Sequence, residues 1–422
     1  MFQSKKSVTL RAIAGGLALS LALAAGASAE TKLRITIWSA NEAHLKLFNG
    51  IADGFKKEHP DVTVTFESLP FENYTTALTT QIAGGNAPDM AWIFETSAYD
   101  FVNSGALVPL SKPLAATPGY NLGEISPSAT ERWSKDGVLY AYPFSTSPFA
   151  VFVNNDLIRK AGAKTPAELI AAGEWTWPNA IATAQAVAQG GKGGLVVRDF
   201  NYQAWQYLSS VWNAWGAAPW SADGKRCTFA DKPMVDALGF IHDAIFVKKA
   251  IPGPGQNVDF FAGDAAMTIT QISRASLLSK DKRFDWDLVP LPKGPAGDYA
   301  IVGQAGVGVL KAGKDAATAT AFVGYMTNPE NSAKLAQFFP SARKSLLNAE
   351  VLGKTNALLS PVQLDKVVVS GISTGKVMPA HTDFARLQQM VRSGLDAVWQ
   401  PKADIPAATR SICAQIGPLL AQ

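Results

Sequence analysis

Residues 137–156, GVLYAYPFSTSPFAVFVNND, limit what this chain can fold into more than any other stretch. Two apolar runs, 138–142 and 149–154, are rich in aromatic and β-branched residues and read as β-strands. Between them lies a polar break, Ser145-Thr146-Ser147, bracketed by Pro143 and Pro148. Each proline fixes its own φ and lacks an amide donor, so neither is expected inside a central ladder. Strand, stiff break and strand, with no helix between, suit a chain that crosses from one sheet to another. Hydroxyls and rings at such a crossing would face whatever lies between two lobes. The stretch is therefore a candidate hinge and part of a ligand cleft; an ordinary hairpin with solvated serines is the alternative these residues leave open.

A chain of 422 residues exceeds what a single core usually organises, so two domains are expected. With 47% hydrophobic and 17% charged residues it is globular rather than disordered. The N-terminus is of another kind. Lys5, Lys6 and Arg11 precede or border an apolar run over 13–25, and Ala27-Ser28-Ala29 supplies small residues for cleavage. This is the pattern of a secretory signal peptide over residues 1–29, with a mature chain from Glu30. The run is short for a membrane span, no later segment approaches one, and no cysteine follows it to carry a lipid anchor. The whole chain holds 38 basic and 34 acidic residues, and the signal takes three of the basic ones. A near-neutral mature chain without a basic run has no electrostatic footprint for nucleic acid. Cys227 and Cys413 form an even pair that an oxidising compartment would favour as a disulfide, although spacing cannot show that they meet. His44, His59, His242 and His381 share no metal-ligand spacing, so neither a metal nor another cofactor is expected.

Along the chain, residues 32–39, KLRITIWS, alternate and read as a strand that delivers Trp38 and Ser39 to its end. Residues 43–57 carry Leu47, Ile51 and Phe55 at helical spacing until His59-Pro60 stops them. Residues 62–67 are a second strand, 74–83 a second helix, and 88–93 a third strand. This βαβαβ order implies a parallel sheet, with ligands beyond the carboxyl ends of its strands. Trp38, Ser39, Asn41, Glu42, Trp92 and Glu95 are then candidates, against core packing for Trp92 and solvated loops for Glu42 and Glu95. After the crossing, Asp156 is expected to cap a short helix ending at Gly162, and 180–188 is a longer one. Trp205, Trp212, Trp215 and Trp220 cluster within 203–220. Aromatic faces beside a few polar groups suit the C–H faces of sugars. A helix-packing seam is the competing reading; one or two of the four, Trp212 first, are expected in a site. Gly263 before the AAMTI strand suggests close backbone approach, and 301–310, IVGQAGVGVL, reads as a return crossing. Residues 316–326 form a helix, Pro329 opens another, and the chain from Val362 is mainly helical.

Taken together, several segments resemble the extracellular solute-binding proteins of ATP-binding-cassette importers, in the sugar-binding branch that includes maltose-binding protein. The matching segments include WSANEAH, FKKEHPDVTV, GGNAPDMAW, GVLYAYPFSTSPFAVFVNNDLI and FFAGDAAMTI. LPKGPAG, VGQAGVGV, FVGYMTNPENSAKLAQ and FFPSARKS follow in the same order. The resemblance implies a two-lobed type II periplasmic binding protein fold of two discontinuous α/β domains joined by hinge strands. Residues 30–145 with 305–350 would form the N-terminal lobe, and 146–304 with 351–422 the C-terminal lobe. Both cysteines would share the second lobe. The implied ligand contacts are Trp38, Ser39, Glu42, Tyr74, Asp89, Glu95 and Ser145, with Trp212, Gly263, Gln304 and Arg343 from the second lobe and the return. Gln304 stands in a crossing that usually carries a glycine pair, so the substrate is expected to differ from that of common members.

The resemblance further implies capture without chemistry: a periplasmic monomer takes a sugar or sugar derivative between its lobes and presents it to a membrane permease. Arg343 raises an anionic ligand as a variant, since guanidinium pairs well with phosphate, sulfonate or carboxylate, against a structural ion pair or backbone contact. A secreted glycosidase would need two acids across the scissile bond, and Asp89 and Glu95 both fall near one strand. A scavenger of polyamines would need a cleft dominated by carboxylates.

Overall fold

The computed structural model describes Met1 and residues 30–125, 127–278, 284–341 and 343–421. Beyond Met1, the expected signal segment lies outside the described residues, as does Ala342 of the FFPSARKS segment. Strand β1 (Thr31–Ile37) pairs in parallel with β2 (Val62–Ser68) and with β3 (Met90–Phe94). Between them run helices α1 (Glu42–Glu58) and α2 (Tyr74–Ala83). The Asn41 side chain accepts from the amides of Ala43 and His44 and so starts α1, satisfying donors the first turn leaves open. Its buried face is His44, Phe48, Ile51, Ala52 and Phe55, one residue away from the expected stripe because Phe48 rather than Leu47 points inward.

A small hairpin, β4 (Ser134–Lys135) and β5 (Val138–Leu139), leads into the element on which the molecule turns. This is β6 (Ala141–Asn154), a single strand of 14 residues, all buried. The expectation that the prolines would break it is corrected. Pro143 lies opposite Gly306 and Pro148 opposite Val302, both inside the ladder with β10 (Ile301–Val309). The physical reason is edge geometry. Up to Pro148 β6 has a strand on one flank only; β8 (Ala265–Gln271) joins the other flank from Phe149. A missing amide costs little where no neighbouring strand asks for it. Past Val151, β9 (Trp286–Val289) takes the flank that β10 covers earlier. β7 (Gly193–Val197) adds in parallel to β8, and β11 (Lys376–Val377) to β10. The order β2-β1-β3-β10-β6-β8-β7, with β9 on β6 and β11 on β10 beside that path, forms one nine-stranded sheet whose two halves share β6 and β10.

Two large cores hang on these halves, and a smaller third one packs Ala150 and Phe152 of β6 against Phe260, Leu288 and Leu364. One large core gathers β1, β3 and the start of β6 with the end of β10 and helices Ala316–Met326 and Pro329–Leu335. The other collects the end of β6, β7, β8, the tryptophan-rich segment and the C-terminal helices Phe384–Leu395 and Ile405–Leu420. A bulge between Ala305 and Gly306 leaves Phe144 as the extra residue opposite them. A Cβ on Gly306 would lie 2.6 Å from the Trp133 ring, so glycine is what lets that indole close over the strand. Helix Asn155–Lys160 is capped by Asn154 rather than Asp156, whose carboxylate instead accepts the amide of Asp285. Among the described residues no helix is long and apolar enough to cross a membrane.

Cys227 and Cys413 are joined by a disulfide that ties the 227–229 segment to the last helix and closes a sequence separation of 186 residues. Both half-cystines flank the second core, away from the space between the halves. Replacing both with serine is expected to lower stability by about 2–4 kcal/mol, the usual worth of a long-loop crosslink. Denaturant unfolding of oxidised wild type and the double variant measures this, with ligand affinity unchanged.

Candidate functional site

A cleft of about 680 Å³ opens between the two halves. The first half contributes the turn Phe71–Asn73, the start of α2 and the end of β3 from Phe94 to Ser97. The second contributes the loop after β7, from Asp199 to Tyr207, together with Arg274, Met378 and one face of helix Phe384–Leu395. Both contributing strands, β3 and β7, are parallel members that present their carboxyl ends here, as the crevice rule requires. Carboxamides are prominent in the lining: Asn73, Asn201, Gln203, Gln206, Gln388 and Gln389. The Oε1 of Gln206 is buried without a partner in the described structure, an acceptor that a ligand hydroxyl would satisfy. Phe71 and Phe94 meet edge to face with centroids 5.1 Å apart and give the cleft its apolar wall.

Charge is present and only partly paired, for Glu72 and Arg392 make no ion pair among the described residues. Arg274 donates to Asp199 at 3.2 Å and stands over the Phe71 ring. Asp199 holds φ at +64°, and Asn201 and Tyr202 are also left-handed, so three non-glycine residues within four keep an unfavourable backbone. Glu95 is 4% exposed, and burial pushes its carboxyl up to about 7. Backbone amides of Glu95 and Gln304 and the Arg132 guanidinium work against that rise without cancelling it. Arg132 is itself lowered by burial; it donates to the Met378 carbonyl at 3.3 Å and so bridges the two halves beside the cleft. His44, whose Nδ1 shares a 2.7 Å hydrogen bond with Ser39 Oγ, is lowered to about 4 by burial. Among the described residues no group of three or more His, Cys, Asp or Glu is placed to hold a metal ion.

Of the residues singled out in the sequence, Glu95 is the one that lines the cleft. Trp38 stacks on Phe94 at 4.1 Å and thereby backs the aromatic wall from behind. Ser39 serves His44, Glu42 is exposed in the first turn of α1, and Ser145 is buried in β6. Gln304 is buried in β10, with its backbone beside the Glu95 carboxyl. Gly263 ends a short turn at φ +87°, outside the cleft wall.

Four others belong to the protein interior, each for a visible reason. Tyr74 points its hydroxyl at the carbonyls of Thr36 and Trp92, both 2.9 Å away, and locks α2 to the sheet. Asp89 sits at the amino end of β3, opposite the cleft, where its carboxylate accepts the amides of Arg34 and Lys314. Trp212 is fully buried against Trp205 and Phe229, and none of the four clustered tryptophans lines the cleft. Arg343 is fully buried, donates to the carbonyls of Tyr120, Asn121 and Thr327, and lies over the Tyr120 ring. Its Nη1 and Nη2 groups donate to backbone, its buried Nε makes no hydrogen bond among the described residues, and its place in the interior outside the cleft wall removes it as an anion receptor.

The sequence reading missed the RDFNYQ segment and the cleft face of the last-but-one helix. A signal was present in the first: a polar run with Asp and Asn directly after a strand is what a left-handed turn at a sheet's carboxyl edge requires. For Gln388, Gln389 and Arg392 no signal existed, since they read as an ordinary solvated helix face.

Comparison with known proteins fits this geometry. The family description "bacterial extracellular solute-binding protein" matches residues 40–333. The chain belongs to that family. The sn-glycerol-3-phosphate-binding periplasmic protein UgpB of Escherichia coli is 28% identical over 357 residues, covering 77% of each chain. Among solved structures, this solute-binding protein is similar in fold to an ABC substrate-binding protein of Listeria monocytogenes in complex with cycloalternan. That likeness has a TM-score of 0.79 at 23% identity and covers 93% of this chain and 99% of the other. It also resembles UgpB of Mycobacterium tuberculosis in complex with glycerophosphocholine, with a TM-score of 0.74 at 17% identity over 92% and 98% of the two chains.

Glu95 gives this solute-binding protein a pH signature. Between pH 4.5, its ordinary value, and about 7, the folded state holds a proton that the unfolded chain has released. Its contribution therefore falls as pH rises through that window. His44, depressed to about 4 from 6.5, acts in the opposite sense, so its contribution is lost as pH falls. The difference between wild type and Glu95→Gln isolates the first effect: the variant is expected to gain relative stability steadily from pH 4.5 to 7. Chemical denaturation at a series of pH values reads the gain, and a constant difference would place the Glu95 carboxyl in an ordinary range.

Proposed function

We propose that this solute-binding protein is the periplasmic receptor of an ATP-binding-cassette importer and captures a neutral sugar or sugar derivative. The observation that carries the reading is the carboxamide-rich cleft with an orphaned buried acceptor at Gln206. Carboxamides donate and accept at once, which matches hydroxyls that do the same. Phe71 and Phe94 offer the apolar faces against which a sugar ring's C–H groups rest. A scavenger of cations fits less well, because Arg274 and Arg392 stand among the carboxylates Glu72, Glu95 and Asp199. Of the two cleft guanidiniums Arg274 is held by Asp199, which leaves Arg392 as the group an anionic solute would have to use. A solved relative in complex with cycloalternan supports the neutral class, whereas curated relatives named for sn-glycerol-3-phosphate share the hydroxyls and add a phosphate.

The lobes of the proposal are residues 30–145 with 305–350 and residues 146–304 with 351–422. They swing about β6 and β10, bury the ligand, and present a joint surface to the permease. The receptor works as a monomer, exported by its signal peptide and free in the periplasm. It leaves its ligand unchanged, as a binding protein does, and Asp89, one of the two acids considered for a glycosidase, is tied to backbone amides away from the cleft.

Mass spectrometry of material released from protein purified without refolding, followed by calorimetry on each compound found, tests this. The expected result is one intact neutral saccharide or saccharide derivative per chain, bound with micromolar or tighter affinity. Recovery of hydrolysis products after incubation, or of an amine or a simple phosphate ester as the tightest ligand, would overturn it.

A further inference from the structure

A second cavity of about 460 Å³ lies directly beside the cleft, and Glu72, Asp199 and Asn201 wall both. It reaches into the second half, under the loop after β7, and is bounded beyond by residues 251–260. Ligand pockets commonly run from about 300 to 1,000 Å³, so each compartment is by itself large enough for a bound group. The partition between them is the strained segment Asp199–Tyr202, held in place from below where the Tyr202 hydroxyl donates to the Pro252 carbonyl.

The aspartates of this chamber are paired locally, and Glu72 is the carboxylate left without an ion pair among the described residues. Arg198 lies 3.4 Å from Asp259 and 3.9 Å from Asp199 and rests on the Phe261 ring, while Lys192 holds Asp264 at 2.8 Å. Arg198 is thereby committed to two aspartates, while its buried Nε makes no hydrogen bond among the described residues. Asn201 and Asn257 remain as carboxamides whose side chains make no hydrogen bond among the described residues, with Val196 and Val258 beside them as apolar surface. That is again the chemistry of hydroxyls over a hydrocarbon face.

We propose that the chamber behind Asp199–Tyr202 is a second subsite, and that the protein selects a saccharide of at least two units, one on each side of this partition. The inference rests on the sugar reading of the cleft and sharpens it. A monosaccharide would fill the cleft and leave the chamber to water. A longer chain would pass Glu72 and Asn201 and place a second ring against Asn257.

The test titrates wild type and Asn257→Trp with glucose, galactose, maltose, trehalose, cellobiose, raffinose, maltotriose, sn-glycerol-3-phosphate and glycerophosphocholine. Asn257 is exposed on a loop outside the cleft wall, so the indole plugs the chamber without touching the cleft. Asn257→Tyr repeats the measurement with a smaller plug, and circular dichroism confirms folding of both. The expected result is at least tenfold tighter binding of one di- or trisaccharide than of any monosaccharide. That advantage should be lost in Asn257→Trp, with monosaccharide affinity retained. Tightest binding of a monosaccharide or of either glycerol phosphate, or an undiminished oligosaccharide affinity in both plugged variants, overturns the second subsite; the monosaccharide and undiminished-affinity results leave the sugar reading standing. Failure of every saccharide overturns the sugar reading and this inference with it.

Discussion

The antiparallel ladder between β6 and β10 is the constraint from which the rest follows. It runs from the first half into the second without a gap in burial, from Ala141 opposite Gly308 to Pro148 opposite Val302. Each buried backbone hydrogen bond left unmade costs about 1–3 kcal/mol, so the halves cannot separate by unzipping these strands. Relative motion has to be bending and twisting of an intact ladder. The bulge at Ala305 and Gly306, which leaves Phe144 unpaired at the junction, is where such a ladder yields most readily. Pro143 and Pro148 limit the freedom of β6 at the same place, which favours one mode of motion over many.

The same economy governs the charged groups. Arg343 spends its donors on three carbonyls and welds the 120–121 turn to the end of a helix. Asp89 does the converse, gathering amides from β1 and from the start of helix Ala316–Met326. Both charges are structural because their hydrogen bonds run to backbone, with the buried Nε of Arg343 left without one among the described residues. The groups at the cleft are answered less completely: Gln206 keeps an empty acceptor, and Glu95 is buried enough to hold a proton near neutrality. That contrast separates scaffold from site better than residue type does.

It also explains what could be read in advance. The βαβαβ half was legible from strand alternation and helix stripes, because one face of each element is buried and periodicity records burial. The hinge is legible as a crossing but its continuity is not; whether a proline interrupts a ladder depends on which flank is paired, and that is a tertiary fact. The tryptophans misled for a related reason: Trp205, Trp212 and Trp220 form a packing seam whose composition is the same as that of a sugar platform. Tyr74, Asp89 and Arg343 stood in family motifs, yet their partners are backbone atoms that no sequence displays. The cleft loop after β7 carried a faint turn signal in its Asp and Asn. The glutamines of helix Phe384–Leu395 carried none, since exposure to a cleft and exposure to bulk water leave the same pattern.

A hinge built on two continuous strands, with a polar cleft beside it, exists to close. Small-angle scattering of the purified protein, before and after saturation with the saccharide it retains, measures this directly. The account requires a smaller radius of gyration in the saturated form, with secondary structure unchanged. An identical scattering curve in both forms would contradict it.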